Sequence, residues 1–448
     1  MRKLALVVCV LWMMPLIVGQ VFPSIDSGSD AAAAERKKTR KVPAMREVTY
    51  RRLAEAQAMI DPDSAPREEG EPAPIPKGTP KDAVVVLLKL KDRRGLNSYE
   101  LAQVWNTLAF AYYTIDDVPN TINAYENVLR QGTITEALEQ SVVRALFQLF
   151  YSQENYKKSI SYIERWEALR EIPDAGVTFI KATAYYQMDD FKSALKFALR
   201  VEEISIELQK TIKENWWYLQ VVLYNELKEI DKTIEVLEKL ITTYPKKQYW
   251  MHLAGMYSEK GNDDSSLSAY YAAYSQGMFA KESEVVMLSQ RLLNAEVPFE
   301  AATVLEKGFK DGIIKENEKN LKLLATSYTM AQEMGKAIDA WRDATKFADE
   351  GELHYRLAQA LANEDRHKEA TDSYKDALDA DGKLKHLGDV NFWYGISLMQ
   401  LERWDQATNA FRASAKADKK KAKQTRNYIR YIKGEKRRQE ELRKMLEE

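Results

Sequence analysis

Four histidines (His252, His354, His367 and His386) and one cysteine, Cys9, are the side chains best suited to metal or proton-transfer chemistry. No two histidines stand three or four residues apart, the spacing that aims a pair at one ion from one helix face. A zinc centre built on thiolates lacks its donors. The run Asp379-Ala380-Asp381-Gly382 suggests a calcium loop, but its first and last ligand positions would be Ala377 and Gly388. A turn between helices is the better reading. There is no phosphate-binding glycine loop and no GxSxG elbow, and the acidic residues are spread along helical faces. No catalytic, metal or cofactor-binding residues are therefore expected. The chemistry left to this chain is recognition, and the elements that position its side chains decide what it recognises.

Those elements are clearest at 244–274, YPKKQYWMHLAGMYSEKGNDDSSLSAYYAAY. Trp250, Leu253, Ala254 and Tyr257 share one helical face. Gly261-Asn262 breaks that helix, and Ser266, Tyr270 and Ala273 mark a second face. This is the pattern of a tetratricopeptide repeat (TPR). Such a hairpin cannot bury its own apolar face and has to stack on copies of itself.

With Trp250 as anchor, the equivalent positions are Trp105, Val143, Thr178, Trp217, Val286, Leu321, His354 and Asn391. Their separations run from 33 to 39 residues, scattered around the repeat length of about 34. Faithful copies carry Trp105/Leu108/Ala109/Tyr112 and Leu321/Leu324/Ala325/Tyr328; in weaker ones Gln220 replaces leucine and Ser159 and Thr233 replace alanine. The expected fold is all-α, a TPR superhelical solenoid of about nine hairpins over 81–416, with 417–448 as a basic C-terminal capping helix. Composition agrees: 45% apolar, 30% charged and only 18 Gly and 13 Pro in 448 residues.

In such an array the first helix of each unit lines the concave surface. Residues one, five and eight places after the anchor point into it. That rule gives Asn106, Phe110 and Tyr113; Arg144, Gln148 and Tyr151; Phe179, Thr183 and Tyr186; and Tyr218, Val222 and Asn225. Tyr113, Tyr151 and Tyr186 would suit a peptide, since tyrosine offers apolar area and a hydroxyl together. The alternative is that they pack between hairpins. No repeat has the Lys and Asn, four apart, that would grip a terminal carboxylate.

At the start, Arg2 and Lys3 precede an uncharged apolar run, Leu4–Val18, followed by Gly19. This is the layout of a signal peptide over 1–19, or of an uncleaved anchor, and both place the rest outside the cytoplasmic membrane. Cys9 lies within that run, so a cleaved product has no cysteine and no disulfide. Residues 20–80, with Ala31–Ala34, a basic run and six prolines between 61 and 80, read as a flexible linker with one short helix near 45–60. Without Arg2 and Lys3 the chain has 64 Lys/Arg against 67 Asp/Glu, which argues against nucleic acid as a partner. Residues 416–448 hold 13 Lys/Arg against 6 Asp/Glu, and a cap on the last repeat or a basic contact to anionic lipid or an acidic partner both fit.

The stretches 96–129 (LNSYELAQVWNTLAFAYYTIDDVPNTINAYENVL), 244–259, 295–309 (AEVPFEAATVLEKGF) and 349–359 (DEGELHYRLAQ) resemble an envelope TPR family of gammaproteobacteria. The resemblance covers most of 45–448. It implies a component of TonB-type energy-transduction systems for iron uptake, with a TonB/ExbB/ExbD-type membrane complex as partner, and supplies no catalytic or metal residues. The expectation is a non-enzymatic periplasmic scaffold without cofactor. A scaffold for cell-envelope or outer-membrane assembly is the nearest alternative, and a groove-based enzyme or carrier for glycan or lipid the alternative of another class.

Overall fold

The computed structural model of the chain describes residues 40–64, 77–347, 351–380 and 384–447. The Leu4–Val18 run with Cys9, the proline-rich 65–76 and the Asp381-Gly382 pair lie outside the described residues. Among those described the fold is all-α: 21 α-helices and no strand. Helices α1 (Glu47–Ile60) and α2 (Pro80–Lys91) precede nine hairpins. By contact the chain divides into two units, up to Leu240 and from Ile241.

The first unit holds hairpins α3 (Ser98–Thr114)/α4 (Val118–Leu129), α5 (Glu136–Ser152)/α6 (Tyr156–Ala168) and α7 (Ala175–Gln187)/α8 (Phe191–Glu207). A fourth, α9 (Glu214–Glu226)/α10 (Ile230–Thr243), runs to the division. The second unit holds α11 (Lys247–Glu259)/α12 (Asp263–Ser275), α13 (Glu282–Asn294)/α14 (Pro298–Lys310) and α15 (Glu318–Met330)/α16 (Met334–Thr345). It continues with α17 (Gly351–Asn363)/α18 (His367–Asp379), α19 (Leu387–Gln400)/α20 (Trp404–Ala417) and a last helix, α21 (Ala422–Glu447).

Every hairpin turns the same way. One residue between its helices has positive φ: Asp116, Glu154, Asp189, Lys228, Gly261, Glu296, Gln332, Asp365 and Glu402, at 55–77°. The next residue's N–H reaches back five positions, as from Asp117 to Tyr112 O (2.9 Å), Asn262 to Tyr257 O (2.8 Å) and Arg403 to Leu398 O (2.9 Å). This is the Schellman closure of a helix C-terminus. Asp117, Asn155, Asp190 and Asn262 then cap the second helix through their side chains.

The turn residue follows the anchor by eleven positions in eight repeats, and in the sixth Glu296 follows Val286 by ten. The structural anchor there is Val285, which corrects the register by one. Leu288, Ser289 and Leu292 then fall on the buried face.

Small residues on the second helix let the hairpin close. Ala124, Ala194, Ala337, Ala370 and Ala407 are fully buried. Where Ser159 replaces alanine, its hydroxyl donates to the Phe147 carbonyl across the hairpin at 2.8 Å, so the polar atom costs little. Gln220, in the usual leucine place, donates to Glu202 (2.9 Å), which pairs with Lys239 (2.8 Å). Trp250 and Tyr257 are half-buried, whereas Tyr249, Leu253 and Met256 are buried. The packed face of α11 is thus rotated toward Tyr249 relative to the sequence expectation.

Within the 20–80 stretch, α1 is packed rather than free. Leu53, Ala56, Met59 and Ile60 are buried together with Leu87, Val104 and Leu108. At the other end Tyr428 of α21 stacks on Phe411 (5.2 Å, 13°), Ile432 is buried, and Trp404 Nε1 donates to Gln439 at 3.0 Å.

Candidate binding groove

The structure divides the groove residues of the first unit into two sets. Tyr113 is 43% exposed and Tyr218 is 36% exposed, while Asn106, Phe110, Arg144, Gln148, Val222 and Asn225 are half-buried. Tyr151, Phe179, Thr183 and Tyr186 are buried. Tyr151 meets Tyr156 of its own hairpin edge-on at 5.3 Å, and Tyr186 meets Phe191 at 5.9 Å. Phe179 lies 6.2 Å from Trp216 of the following hairpin. The second helix thus covers two of the three tyrosines expected to form a peptide-binding row, and Tyr113 stays at the surface. Burial pushes the Tyr151 hydroxyl up to about 12, so it does not ionise near neutrality.

In the second unit a cleft of about 980 Å³ opens along the first helices of successive hairpins. Lys322, Thr326, Thr329 and Met330 of α15 form one wall. Glu352, Arg356, Gln359 and Asn363 of α17 form the other, with Lys385 and His386 ahead of α19 at its end. Lys322, Thr326 and Thr329 stand one, five and eight places after Leu321, and Gln359 five after His354. The spacing rule that gave the first-unit positions therefore finds this wall too, once carried into the later repeats.

The polar groups of the cleft are held in place. Trp341 Nε1 donates to Thr329 Oγ1 at 3.2 Å. Arg356 pairs with Glu352 (Nε to Oε1, 3.2 Å) and donates to Gln359 Oε1 at 3.4 Å, and Gln359 in turn donates to the Tyr355 hydroxyl at 2.9 Å. Arg356 is half exposed and keeps donors for a ligand. Such a wall can hydrogen-bond the amides of an extended chain and pair with a carboxylate.

The histidines gather no metal site: among the described residues no three His, Cys, Asp or Glu side chains converge. His252 is half-buried, and burial lowers its pKa. His367 lies 3.6 Å from Asp365 and His386 3.9 Å from Asp389, each a local pair beside a helix start.

Residues 351–384, which are hairpin α17/α18 and its exit, match the family model of the tetratricopeptide repeat. The α17/α18 segment is a tetratricopeptide repeat. Among solved structures, MamA aligns at 18% identity and TM-score 0.32, over 38% of this chain and 97% of MamA. A tetratricopeptide repeat protein from Parabacteroides merdae aligns at 12% identity and TM-score 0.33, over 58% and 98%. The TPR2AB-domain:pHSP90 complex of yeast Sti1 aligns at 15% and 0.28, over 66% and 98%. No curated protein matches the sequence.

Proposed function

We propose that the chain is a non-enzymatic interaction scaffold of the cell envelope, facing the periplasm, that holds an extended polypeptide segment of a membrane protein complex. The observation that carries this reading is the second-unit cleft. Its walls come from the first helices of neighbouring TPR hairpins, and its lining mixes cationic, amide and hydroxyl groups with apolar ones. That lining suits the amides and side chains of a peptide. A hydrolase of glycan or lipid would need a converging acid and base. Glu352 is instead tied to Arg356.

The Arg2-Lys3 start and the Leu4–Val18 run support export. The resemblance of 96–129, 244–259, 295–309 and 349–359 to the envelope TPR family supports a TonB/ExbB/ExbD-type complex as partner, with the chain as accessory to energy transduction. Affinity capture from crosslinked envelopes tests this. The expected result is recovery of ExbB- and ExbD-type proteins, reduced by substitutions in the cleft. Recovery of outer-membrane assembly factors alone would overturn the TonB assignment, and reporter activity in the cytoplasm from a fusion after residue 80 would overturn the location.

A further inference from the structure

Helix α21 carries more charge than a cap requires. Its packed face, through Thr425, Tyr428 and Ile432, closes the last hairpin. On the opposite face Lys423, Arg426, Arg430, Lys433 and Arg437 follow one another at spacings of three and four, so they form one stripe about 21 Å long. All are exposed, and none forms an ion pair among the described residues. The nearby acid Glu435 is engaged by Arg438 (2.7 Å), and Glu440 and Glu441 stand beyond the stripe. On several other helices the exposed cations are paired. Arg200 pairs with Glu203 and Glu207, Lys232 with Glu235, and Arg366 with Glu369. Like charges at helical spacing repel, and that cost is recovered only when an anion is present.

The same helix leaves apolar side chains uncovered next to the stripe. Tyr431 is 54% exposed, Leu442 50% and Met445 70%, and the spacing puts all three on the adjoining flank. An acidic peptide would neutralise the stripe and leave this flank wet. A bilayer interface takes both, with headgroups on the cations and the acyl boundary on the apolar flank.

We propose that the outward face of α21 docks on an anionic phospholipid surface and seats the repeat array against a membrane. The proposal stands independently of the groove and its partner. The test is sedimentation of the full chain with phosphatidylcholine vesicles and with mixed phosphatidylcholine–phosphatidylglycerol vesicles. The quantity read is the ratio of partition between the two kinds, in which any affinity of the Leu4–Val18 run common to both cancels. Each cation at a surface contributes about fivefold, so Arg430→Gln/Lys433→Gln/Arg437→Gln lowers the ratio by roughly 100-fold. Raising salt acts in the same direction. Leu442→Ser/Met445→Ser weakens partition of the unaltered stripe by roughly tenfold, with helicity and melting unchanged because both side chains lie outside the core. A wild-type ratio near one overturns the proposal, as does a triple variant that keeps the wild-type ratio. Binding to polyglutamate without preference for anionic vesicles also overturns it, and marks the stripe as a protein-docking surface.

Discussion

Arg46 grips Glu100 with a forked ion pair that fastens α1 to the first hairpin. Its Nη2 lies 2.7 Å from Oε2, and its Nε lies 2.9 and 3.1 Å from the two carboxylate oxygens. The Arg46 backbone N–H, the Thr49 hydroxyl and the Asn97 N–H donate to the same carboxylate at 2.9, 2.8 and 3.0 Å. Glu100 is fully buried, and with Asn97 it forms the capping box of α3. One acid thus starts a helix and joins the N-terminal segment to the array. Hydrogen bonding from Arg46, partly opposed by burial, holds its pKa down to about 2.

A pH dependence follows. Because the folded pKa lies below the ordinary 4.5, the ionised form contributes fully above that value, and the contribution is lost as pH falls toward about 2. It is on the order of 3 kcal/mol for this carboxylate. Hydrogen exchange over 47–60, corrected for intrinsic rates, is expected to quicken through that window. Glu100→Gln is expected to lose protection there at neutral pH and to flatten the acid dependence. Protection of 47–60 that ignores both changes would contradict the clamp.

The nine turns offer a second test. Only one of them, at Gly261, uses glycine; the other turn residues hold positive φ with a side chain attached. That conformation costs an L-residue roughly 1 kcal/mol relative to glycine. Glu154→Gly and Gln332→Gly are therefore expected to raise thermal stability by about 0.5–1 kcal/mol each, and Gly261→Ala to lower it by about 1 kcal/mol. Opposite signs in a melting series would mean that these side chains stabilise the turns by contacts worth more than the strain.

The turns also show where the sequence stops being informative. Hairpins were legible because the small and aromatic positions recur, but in the sixth unit Val285 and Val286 are both apolar and periodicity cannot choose between them. The turn at Glu296 chooses. Glu100 looked like one more solvated acid, since its partner Arg46 is 54 residues away. Tyr151 and Tyr186 sat at groove spacing, yet Tyr156 and Phe191 on the second helices cover them. By contrast, the cleft at Lys322 and Thr326 lies on the same spacing as the first-unit groove positions.

Gly395 tests the close approach inside the last hairpin. A Cβ there would lie 2.9 Å from Phe411 Cε1, and Phe411 is already clamped between Phe392 and Tyr428. The ring has nowhere to move, so Gly395→Ala is expected to cost about 1–3 kcal/mol. Loosening of α21, seen as faster exchange over 422–432, would accompany it. An unchanged melting temperature would show that the hairpin relaxes where the geometry says it cannot.

The groove holds two kinds of side chain, and substitutions at three residues distinguish them. Tyr151 is buried against Tyr156, so Tyr151→Ala is expected to lower stability by about 3 kcal/mol and to affect capture only through unfolding. Tyr113 stands at the surface, and Tyr113→Ala should leave melting nearly unchanged. Arg356 is half exposed and lines the cleft, held there by Glu352 and Gln359. If the cleft holds the partner, Arg356→Ala weakens capture by roughly thirtyfold, the scale of a binding hot spot, while helicity and melting hold. Arg356→Lys keeps the charge but loses the planar fork, so it recovers only part of the loss. Equal capture by wild type and Arg356→Ala would move the binding surface off this cleft, and a loss confined to Tyr113→Ala would move it to the first unit.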